Sequence, residues 1–316
     1  MTPDEPAVAV SALGKRFGDV VALDDVSFDV RRGELFGLIG PDGAGKTTLF
    51  RLLTTVQLPD TGTASVLGLD VVRDFRAIRA RIGYMPGRFS LYADLSVEEN
   101  LRFFASVFGT TVEAGARLIA PIYSQIARFA DRRAGALSGG MKQKLALCCA
   151  LVHLPELLLL DEPTTGVDAV SRREFWDLLE TLRADGLTIV ASTPYMDEAV
   201  RCERVALIQR GRILDVGDPR KIGARFNRPL LAVRGGDRVR LLRALRDHPH
   251  AHSVFPFGAD VHFTDARADL GAEAAASELR QHLAAQGFTD AGVAVIEPGI
   301  EDVFMALMQR KGVVAA

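Results

Sequence analysis

The chain has 316 residues, of which 48% are hydrophobic and 25% charged, a composition typical of a globular protein. Its 38 basic and 40 acidic side chains give a net charge of −2, which argues against a protein that recruits nucleic acid through an overall positive field. No run of about 18 uninterrupted apolar residues occurs, and the first residues, with Pro3, Asp4 and Glu5, lack a signal-peptide pattern. We therefore expect any membrane crossing to be done by another subunit.

The cysteine content indicates a reducing compartment. The three cysteines are Cys148, Cys149 and Cys202, and no two of them form a C-x-x-C pair. They are too few for the disulfide framework of a small secreted domain. We therefore expect a cytoplasmic protein.

The first two thirds of the chain predict an α/β domain. From Ala7 to about Arg225, apolar and β-branched runs alternate with segments of helical period. Strands are predicted at residues 8–13, 26–30, 35–39, 82–84, 157–160, 188–191, 205–209 and 212–216.

The most informative motif follows the predicted strand 35–39. It consists of Gly40, Pro41, Asp42, Gly43, Ala44, Gly45, Lys46, Thr47 and Thr48. The spacing matches G-x-x-x-x-G-K-[ST], and a helix-forming run over 48–54 supplies the expected context. The glycines let successive backbone N–H groups turn toward a phosphate; Lys46 would reach the β- and γ-phosphates, and Thr47 would ligate Mg²⁺. A glycine-rich turn that only joins strand to helix is the alternative, and the complete motif favours a nucleotide site.

A helical insertion is predicted at about residues 88–153, between two strands of the α/β pattern. Ser96 and Glu99 have the spacing of a capping box at a helix start. Helical spacing without an intervening strand continues through residues 101–108, 112–129 and 138–152.

Two carboxylates follow the predicted strand 157–160. Asp161 and Glu162 come directly after four leucines, a pattern typical of a buried parallel strand. Ligands of α/β sheets bind at the carboxyl ends of such strands. We expect Asp161 to hold hydrated Mg²⁺ and Glu162 to polarise the water that attacks the γ-phosphate. An exposed turn is the alternative, which the phosphate loop in the same domain makes less favourable.

After Asn227 the pattern starts afresh and predicts a small α+β domain. Strands are predicted at residues 230–234, 253–257, 261–264 and 292–296, with helices at 237–247 and 274–286.

A further run, Leu-Ser-Gly-Gly-Met-Lys-Gln at residues 137–143, resembles the signature sequence of ATP-binding cassette (ABC) proteins. The resemblance extends to Phe17, to residues 91–101 and to the Thr-Gly-Val-Asp run that ends at Asp168, and covers about residues 7–223. Taken alone, Phe17 would be read as a core aromatic and Ser138 as a helix N-cap. The resemblance implies a P-loop cassette with a helical signature subdomain over residues 1–226, followed by the α+β domain at 227–316.

The resemblance implies that the site binds two ligands and is completed by a second subunit. ATP and Mg²⁺ would be bound, with Phe17 stacking on adenine and Asp168 in the D-loop. The signature residues Ser138, Gly139 and Gly140 would face the γ-phosphate held by the opposite subunit. Two cassettes, identical or different, would thus sandwich two ATP molecules.

The chain departs from the family pattern at two positions of the site. Gly87 stands where the family usually has glutamine, which senses Mg²⁺, and Pro194 stands where it usually has a histidine that holds the γ-phosphate. Proline has no side-chain donor and no backbone N–H. We therefore expect tight ATP binding with slow hydrolysis, unless a water or a neighbour such as Arg88, Ser192 or Tyr195 fills the role. Asp42, often asparagine or serine in relatives, is expected to point toward the facing subunit.

The resemblance implies the ATPase subunit of an exporter, peripheral on the cytoplasmic face of the membrane. Its separate transmembrane permease would dock near residues 87–94, where the family receives a coupling helix. Two alternatives stay open: a regulatory cassette that pairs with a consensus cassette, and a soluble ABC ATPase unconnected to transport. The substrate cannot be inferred, because the residues that select it belong to the permease.

Overall fold

The computed structural model describes residues 5–88 and 90–310, and these fall into two compact units. The first unit ends at Pro219, and the second begins at Arg220. The sequence predicts a domain boundary at residue 227, which lies eight positions after the last residue of the first unit.

The first unit contains two sheets and a group of helices. Its strands are β1 (Val8–Phe17), β2 (Val20–Val30), β3 (Leu35–Ile39), β4 (Thr61–Val66), β5 (Leu69–Asp70), β6 (Ile82–Met85), β7 (Leu157–Asp161), β8 (Thr188–Thr193), β9 (Arg204–Gln209) and β10 (Arg212–Gly217). Its helices are α1 (Lys46–Leu53), α2 (Phe75–Arg81), α3 (Val97–Val107), α4 (Val112–Tyr123), α5 (Gly139–Leu151), α6 (Ala169–Ala184) and α7 (Met196–Ala199), and α8 (Pro219–Ile222) begins at its last residue.

The larger sheet brings the ends of three buried strands to one edge. Its order is β10-β9-β3-β8-β7-β6, and all neighbours are parallel except β10, which pairs antiparallel with β9. Every residue of β3, β7 and β8 is buried, as expected for strands with both faces covered. Because these strands are parallel and adjacent, their carboxyl ends lie side by side.

The smaller sheet is antiparallel, in the order β2-β1-β4-β5. Strands β4 and β5 were missing from the sequence prediction. β4 consists mostly of small or polar residues and has its first three residues exposed, so its own pattern is weak. Pairing with β1, where Ala9 lies opposite Ser65, is what orders it.

The predicted helical insertion forms α3, α4 and α5. Ser96 and Glu99 make the predicted capping box: Glu99 N donates to Ser96 Oγ at 3.1 Å, and Ser96 N donates to Glu99 Oε2 at 2.7 Å. The predicted helix 112–129 divides, because α4 ends at Tyr123 and only a short 3₁₀ turn follows at Ala127–Phe129. Ser138 caps α5, the helix that carries the signature run.

The second unit has the β-α-β-β-α-β order of a ferredoxin-like fold. It consists of β11 (Leu230–Arg234), α9 (Arg238–Arg246), β12 (Ala251–Phe257), β13 (Asp260–Asp265), α10 (Ala272–Ala285) and β14 (Gly292–Val295). The four strands form an antiparallel sheet in the order β12-β13-β11-β14. A further helix, α11 (Ile300–Arg310), was not predicted and is tied to the sheet by Asp302, whose Oδ1 lies 2.6 Å from His262 Nδ1.

Candidate functional site

The phosphate loop lies between β3 and α1 and depends on two of its glycines. Gly45 has φ +107°, and a Cβ there would lie 2.7 Å from the carbonyl oxygen of Ala22. A Cβ on Gly40 would collide with the carbonyl oxygen of Ile208. Both positions therefore require glycine, for conformation and for close packing.

Lys46, the first residue of α1, is almost fully buried, and its ammonium has three close partners. Nζ lies 2.7 Å from Gly40 O, 2.9 Å from Pro41 O and 3.0 Å from Glu162 Oε1. A lysine ammonium has three protons, so all three can be used within the site. The cation is thus held in the loop and neutralised by Glu162.

Asp161 is the last residue of β7 and accepts hydrogen bonds from two hydroxyls, those of Thr47 and Ser192. The distance from Ser192 Oγ to Asp161 Oδ1 is 2.9 Å. Burial raises the pKa of the Asp161 carboxyl above its usual value, against the lowering effect of these two hydrogen bonds. The nearby Tyr84 has its pKa raised to about 12, by burial first and by the charge of Asp161 second.

The residues present fit a Mg²⁺ ion. Thr47 and Asp161 offer a hydroxyl and a carboxylate oxygen in contact with each other, beside the predicted phosphate loop. Mg²⁺ prefers such oxygen ligands and is usually held by one or two protein groups together with substrate phosphates.

Glu162 adopts a backbone conformation that is uncommon for a residue other than glycine. Its φ is +49°, and its N–H donates to Ser192 Oγ at 2.9 Å. This turn directs the side chain back to Lys46. The carboxylate and the lysine, 116 positions apart in the chain by their numbers, therefore meet through the pairing of β3, β8 and β7.

Other predicted site residues lie on the surface of the first unit. Phe17 is 45% exposed at the end of β1, and Asp42, Ser138 and Gly139 are exposed as well. Asp168 accepts hydrogen bonds from the N–H groups of Val170 and Ser171 and so caps α6. The ATP contacts of these residues remain predictions.

The two departures from the family pattern have distinct surroundings. A Cβ on Gly87 would lie 2.9 Å from the carbonyl oxygen of Asp161, so the chain passes too close there for a side chain without a shift. Pro194 follows Thr193, whose hydroxyl donates to the buried carboxylate of Glu198 and accepts from Tyr195 N at 3.0 Å.

The hydrogen bonds of two residues at the end of β8 could not be predicted from the sequence. Ser192 contacts both Asp161 and Glu162, and Thr193 joins Glu198, which also accepts from Thr164 Oγ1 at 2.8 Å. Ser192 was named only as a replacement for the missing histidine. The available signal was its place at the end of a predicted buried strand.

The first unit also holds an apolar cavity of about 580 Å³ next to the predicted permease surface. It is lined mainly by β6, the segment after it and the helical insertion, including Met85, Pro86, Leu91, Phe104, Phe108 and Cys149. His153 also lines it and stacks on Phe108, with ring centroids 3.7 Å apart.

The fold and the phosphate loop define the first unit as a P-loop nucleotide-binding domain of the α/β class. Residues 23–165 match the family described as ABC transporter. The chain therefore belongs to this family, as one of its ATP-binding proteins. The family predicted from the motifs, and the cassette fold, are confirmed.

The relatives are named as ATP-binding proteins of a multidrug ABC transporter and of Nod factor export. The chain is 43% identical over 220 residues to the probable multidrug ABC transporter ATP-binding protein YbhF of Escherichia coli, covering 69% of this chain and 38% of that protein. It is 37% identical over 319 residues to the Nod factor export ATP-binding protein I of Bradyrhizobium diazoefficiens, covering 98% of this chain and 99% of that protein. The chain thus spans less than two fifths of YbhF and nearly all of the second relative.

A solved structure similar to this chain is cbiO1 from Clostridium perfringens, part of the ABC transporter complex cbiONQ. The TM-score is 0.62 at 26% identity, over 70% of this chain and 92% of that one. Within residues 5–88 and 90–310, none of the helices has both the length and the apolar character needed to traverse a bilayer.

Proposed function

We propose that this chain binds and hydrolyses ATP and thereby energises export through a separate transmembrane permease. The observation that carries the proposal is the meeting of Lys46, Thr47, Asp161 and Glu162 at one edge of the larger sheet. Membership of the ABC transporter family supports a role in transport, and the name of the Nod factor export relative supports export as its direction.

Binding of ATP requires Lys46 to exchange partners. The ammonium leaves Glu162 and contacts the β- and γ-phosphates, while the backbone N–H groups of residues 40–48 surround them. Phe17, exposed at the end of β1, stacks on the adenine ring. The N-terminus of α1 adds its partial positive charge.

Hydrolysis uses the carboxylate that this exchange releases. Glu162 accepts a proton from the attacking water, whose oxygen bonds to the γ-phosphorus as the bond to the β-phosphate oxygen breaks. Mg²⁺, held by Thr47 and Asp161, would neutralise charge on the phosphates. Asp161 stays ionised in this role, supported by the hydroxyls of Thr47 and Ser192.

A second cassette completes each site. The exposed Ser138 and Gly139, at the start of α5, supply a helix N-terminus for a γ-phosphate held by the facing subunit. Asp42 and Asp168 lie at the same interface. The partner is a second copy of this chain or a different cassette.

The permease docks near residues 87–94, beside the apolar cavity. Tyr92, which is 51% exposed, and Phe103 present aromatic surface there, with ring centroids 4.7 Å apart. A short amphipathic helix of the permease would bury this surface. The chain accordingly works at the cytoplasmic face of the membrane and has no role with nucleic acid.

A second candidate function is that of a slow, regulatory cassette that pairs with a consensus cassette. The observation that favours it is the absence of both polar side chains, the glutamine that senses Mg²⁺ and the histidine that holds the γ-phosphate, since Gly87 and Pro194 offer no side-chain donor. Loss of one preorganised donor typically lowers the rate by about 10² to 10³.

The experiment that tests the proposal measures MgATP binding and hydrolysis by the purified chain, alone and with the transmembrane protein that co-purifies with it. Micromolar binding and a turnover that rises in the complex are expected. Absence of nucleotide binding would refute the proposal, whereas binding with turnover only beside a second, different cassette would favour the regulatory function.

A further inference from the structure

Ser192 is the buried neighbour of both catalytic-site carboxylates. It lies on β8, is fully buried, and is the register partner of Asp161 on the adjacent parallel strand β7. Its position is therefore set by the sheet, independently of any ligand.

The Ser192 hydroxyl links the two carboxylate residues. Oγ donates to Asp161 Oδ1 at 2.9 Å and accepts from Glu162 N at 2.9 Å. A serine hydroxyl has a single proton, so this one is committed to Asp161 and is not available to a phosphate. Ser192 is thus not a direct substitute for the histidine missing at Pro194.

We propose that Ser192 is a positioning residue of the ATPase site, which orients the Asp161 carboxylate beside Thr47 and fixes the backbone from which Glu162 is aimed. This inference rests on the proposed function. It assigns to one hydroxyl the mutual placement of the Mg²⁺ ligand and the general base.

The geometry at Glu162 explains why a fixed point is needed. A residue other than glycine at φ +49° is held there only when its surroundings determine the conformation, and the N–H of Glu162 is bonded to Ser192. At Asp161, the hydroxyls of Ser192 and Thr47 both contact the carboxylate. Without the serine hydroxyl, the carboxylate could rotate and the turn would lose its anchor.

The adjacent Thr193 provides a matched control. It is also fully buried on β8, and its hydroxyl is also bonded to a carboxylate, but that carboxylate belongs to Glu198. A valine at position 193 removes a buried hydroxyl from the same strand without touching Asp161 or Glu162. Any general effect of loosening the end of β8 should therefore appear in both variants.

The test compares Ser192→Ala, Ser192→Thr, Ser192→Cys and Thr193→Val in the full-length chain. Calorimetry measures ADP binding with and without Mg²⁺, and steady-state kinetics give kcat and KM for ATP. For Ser192→Ala we expect the Mg²⁺-dependent gain in ADP affinity and kcat each to fall by about 10- to 100-fold, the usual effect of losing a residue that orients a metal ligand. ADP affinity without Mg²⁺ should stay near the parental value, and KM for MgATP should rise, because part of its binding depends on the same Mg²⁺ contacts.

The remaining variants separate positioning from packing. Ser192→Thr, which keeps the hydroxyl, should restore most of the Mg²⁺ dependence, and Ser192→Cys, with a weak donor of similar size, should fall between Ala and the parent. Thr193→Val should match the parent in both measurements.

Parental Mg²⁺ dependence and kcat in Ser192→Ala would overturn the assignment, as would an equal loss in Thr193→Val. A parallel loss of Mg²⁺-free ADP affinity would also overturn it, because the effect would then lie in the phosphate loop. If the parent itself binds no nucleotide, the proposed function fails. If the parent binds nucleotide and the Ser192 variants have the same Mg²⁺ dependence and kcat as the parent, only the role of Ser192 fails.

Discussion

Lys46 Nζ lies 3.0 Å from Glu162 Oε1, so the cation expected to hold the phosphates and the carboxylate expected to activate water are paired with each other. The pair is largely shielded, with the lysine side chain 2% and the glutamate side chain 20% exposed. A nucleotide must break this contact to engage Lys46, and Glu162 is released as a base by the same exchange. In the proposed function, this arrangement would couple binding of the substrate to availability of the base.

Replacing Lys46 by alanine should abolish most of the MgATP affinity. The ammonium is the strong side-chain charge that the loop directs at the phosphates, and charge-assisted bonds are about twice as strong as neutral ones. Calorimetric titration with MgATP measures the effect. Lys144→Ala is the matched control. It also removes a lysine that is paired with a carboxylate, that of Glu174, but Lys144 lies on α5 and not in the phosphate loop. Unchanged affinity in Lys46→Ala would remove the basis for the phosphate-loop assignment.

Asp161→Asn should stabilise the ligand-free protein at neutral pH while it impairs Mg²⁺-dependent hydrolysis. Burial raises the folded-state pKa of Asp161, so the native state binds its proton more tightly than the unfolded state does. The contribution of Asp161 to the free energy of unfolding is therefore fully present below its unfolded-state pKa and is lost as the pH rises through its folded-state pKa. The asparagine can still accept from Ser192 and has no charge to desolvate.

Thermal unfolding at several pH values tests this. We expect a Tm about 2–4 °C higher than that of the parent at pH 7–8, which corresponds to about 1 kcal/mol in a domain of this size, and a difference that vanishes at acidic pH. A gain that instead grows as pH falls would contradict the assigned direction of the pKa shift.

The fold of the nucleotide site could be predicted because its signals are local. A glycine-rich loop after an apolar strand, and two carboxylates after four leucines, each indicate a strand that ends in polar residues, and the structure contains both strands. Strand β4 could not be predicted in the same way, because its small polar residues become a strand only through pairing with β1. Ser192 was likewise missed as a linking residue, since its partners are supplied by the neighbouring strand β7.

The surroundings of Gly87 also could not be predicted from the sequence. The sequence presents it as the loss of a glutamine, whereas the structure shows that the chain runs close to the carbonyl oxygen of Asp161 there. In the second unit, the ferredoxin-like strand order and the attachment of α11 through His262 and Asp302 depend on contacts between distant residues.

Pro194→His should raise the ATPase rate of the isolated chain by at least about tenfold, equivalent to about 1.4 kcal/mol of transition-state stabilisation. The imidazole could donate to the γ-phosphate and orient the water. Gly87→Gln should add nothing and should lower stability, because its Cβ would meet Asp161 O at 2.9 Å. Gly87→Ala is the control that isolates the effect of the Cβ. A normal parental rate with no gain in Pro194→His would rule out the slow-site hypothesis.

Asp302→Ala should destabilise the second unit without changing nucleotide affinity. The variant removes the contact with His262 Nδ1 at 2.6 Å and the bond that Asp302 Oδ2 accepts from Gly299 N at 2.9 Å. Loss of a largely buried hydrogen-bond partner costs about 1–3 kcal/mol. Chemical denaturation measures the loss, and Asp260→Ala, which removes an exposed ion pair with Arg234, should cost less. A fall in MgATP affinity in folded Asp302→Ala would give the second unit a role in nucleotide binding that we do not expect.

The most direct test of the ATPase assignment is the behaviour of Glu162→Gln with MgATP, followed by analytical ultracentrifugation and by ATP turnover. We expect ATP affinity at or above the parental value, because the ion pair with Lys46 no longer competes, together with a stable dimer that retains ATP and turnover lower by about 10² to 10⁴, the usual contribution of a general base. The control is Glu156→Gln. Glu156 precedes the first residue of β7 and pairs with Arg81, so this variant removes a carboxylate from the end of the strand opposite to Glu162 and should behave like the parent. A Glu162→Gln variant that stays monomeric and hydrolyses ATP at the parental rate would contradict the account of this site.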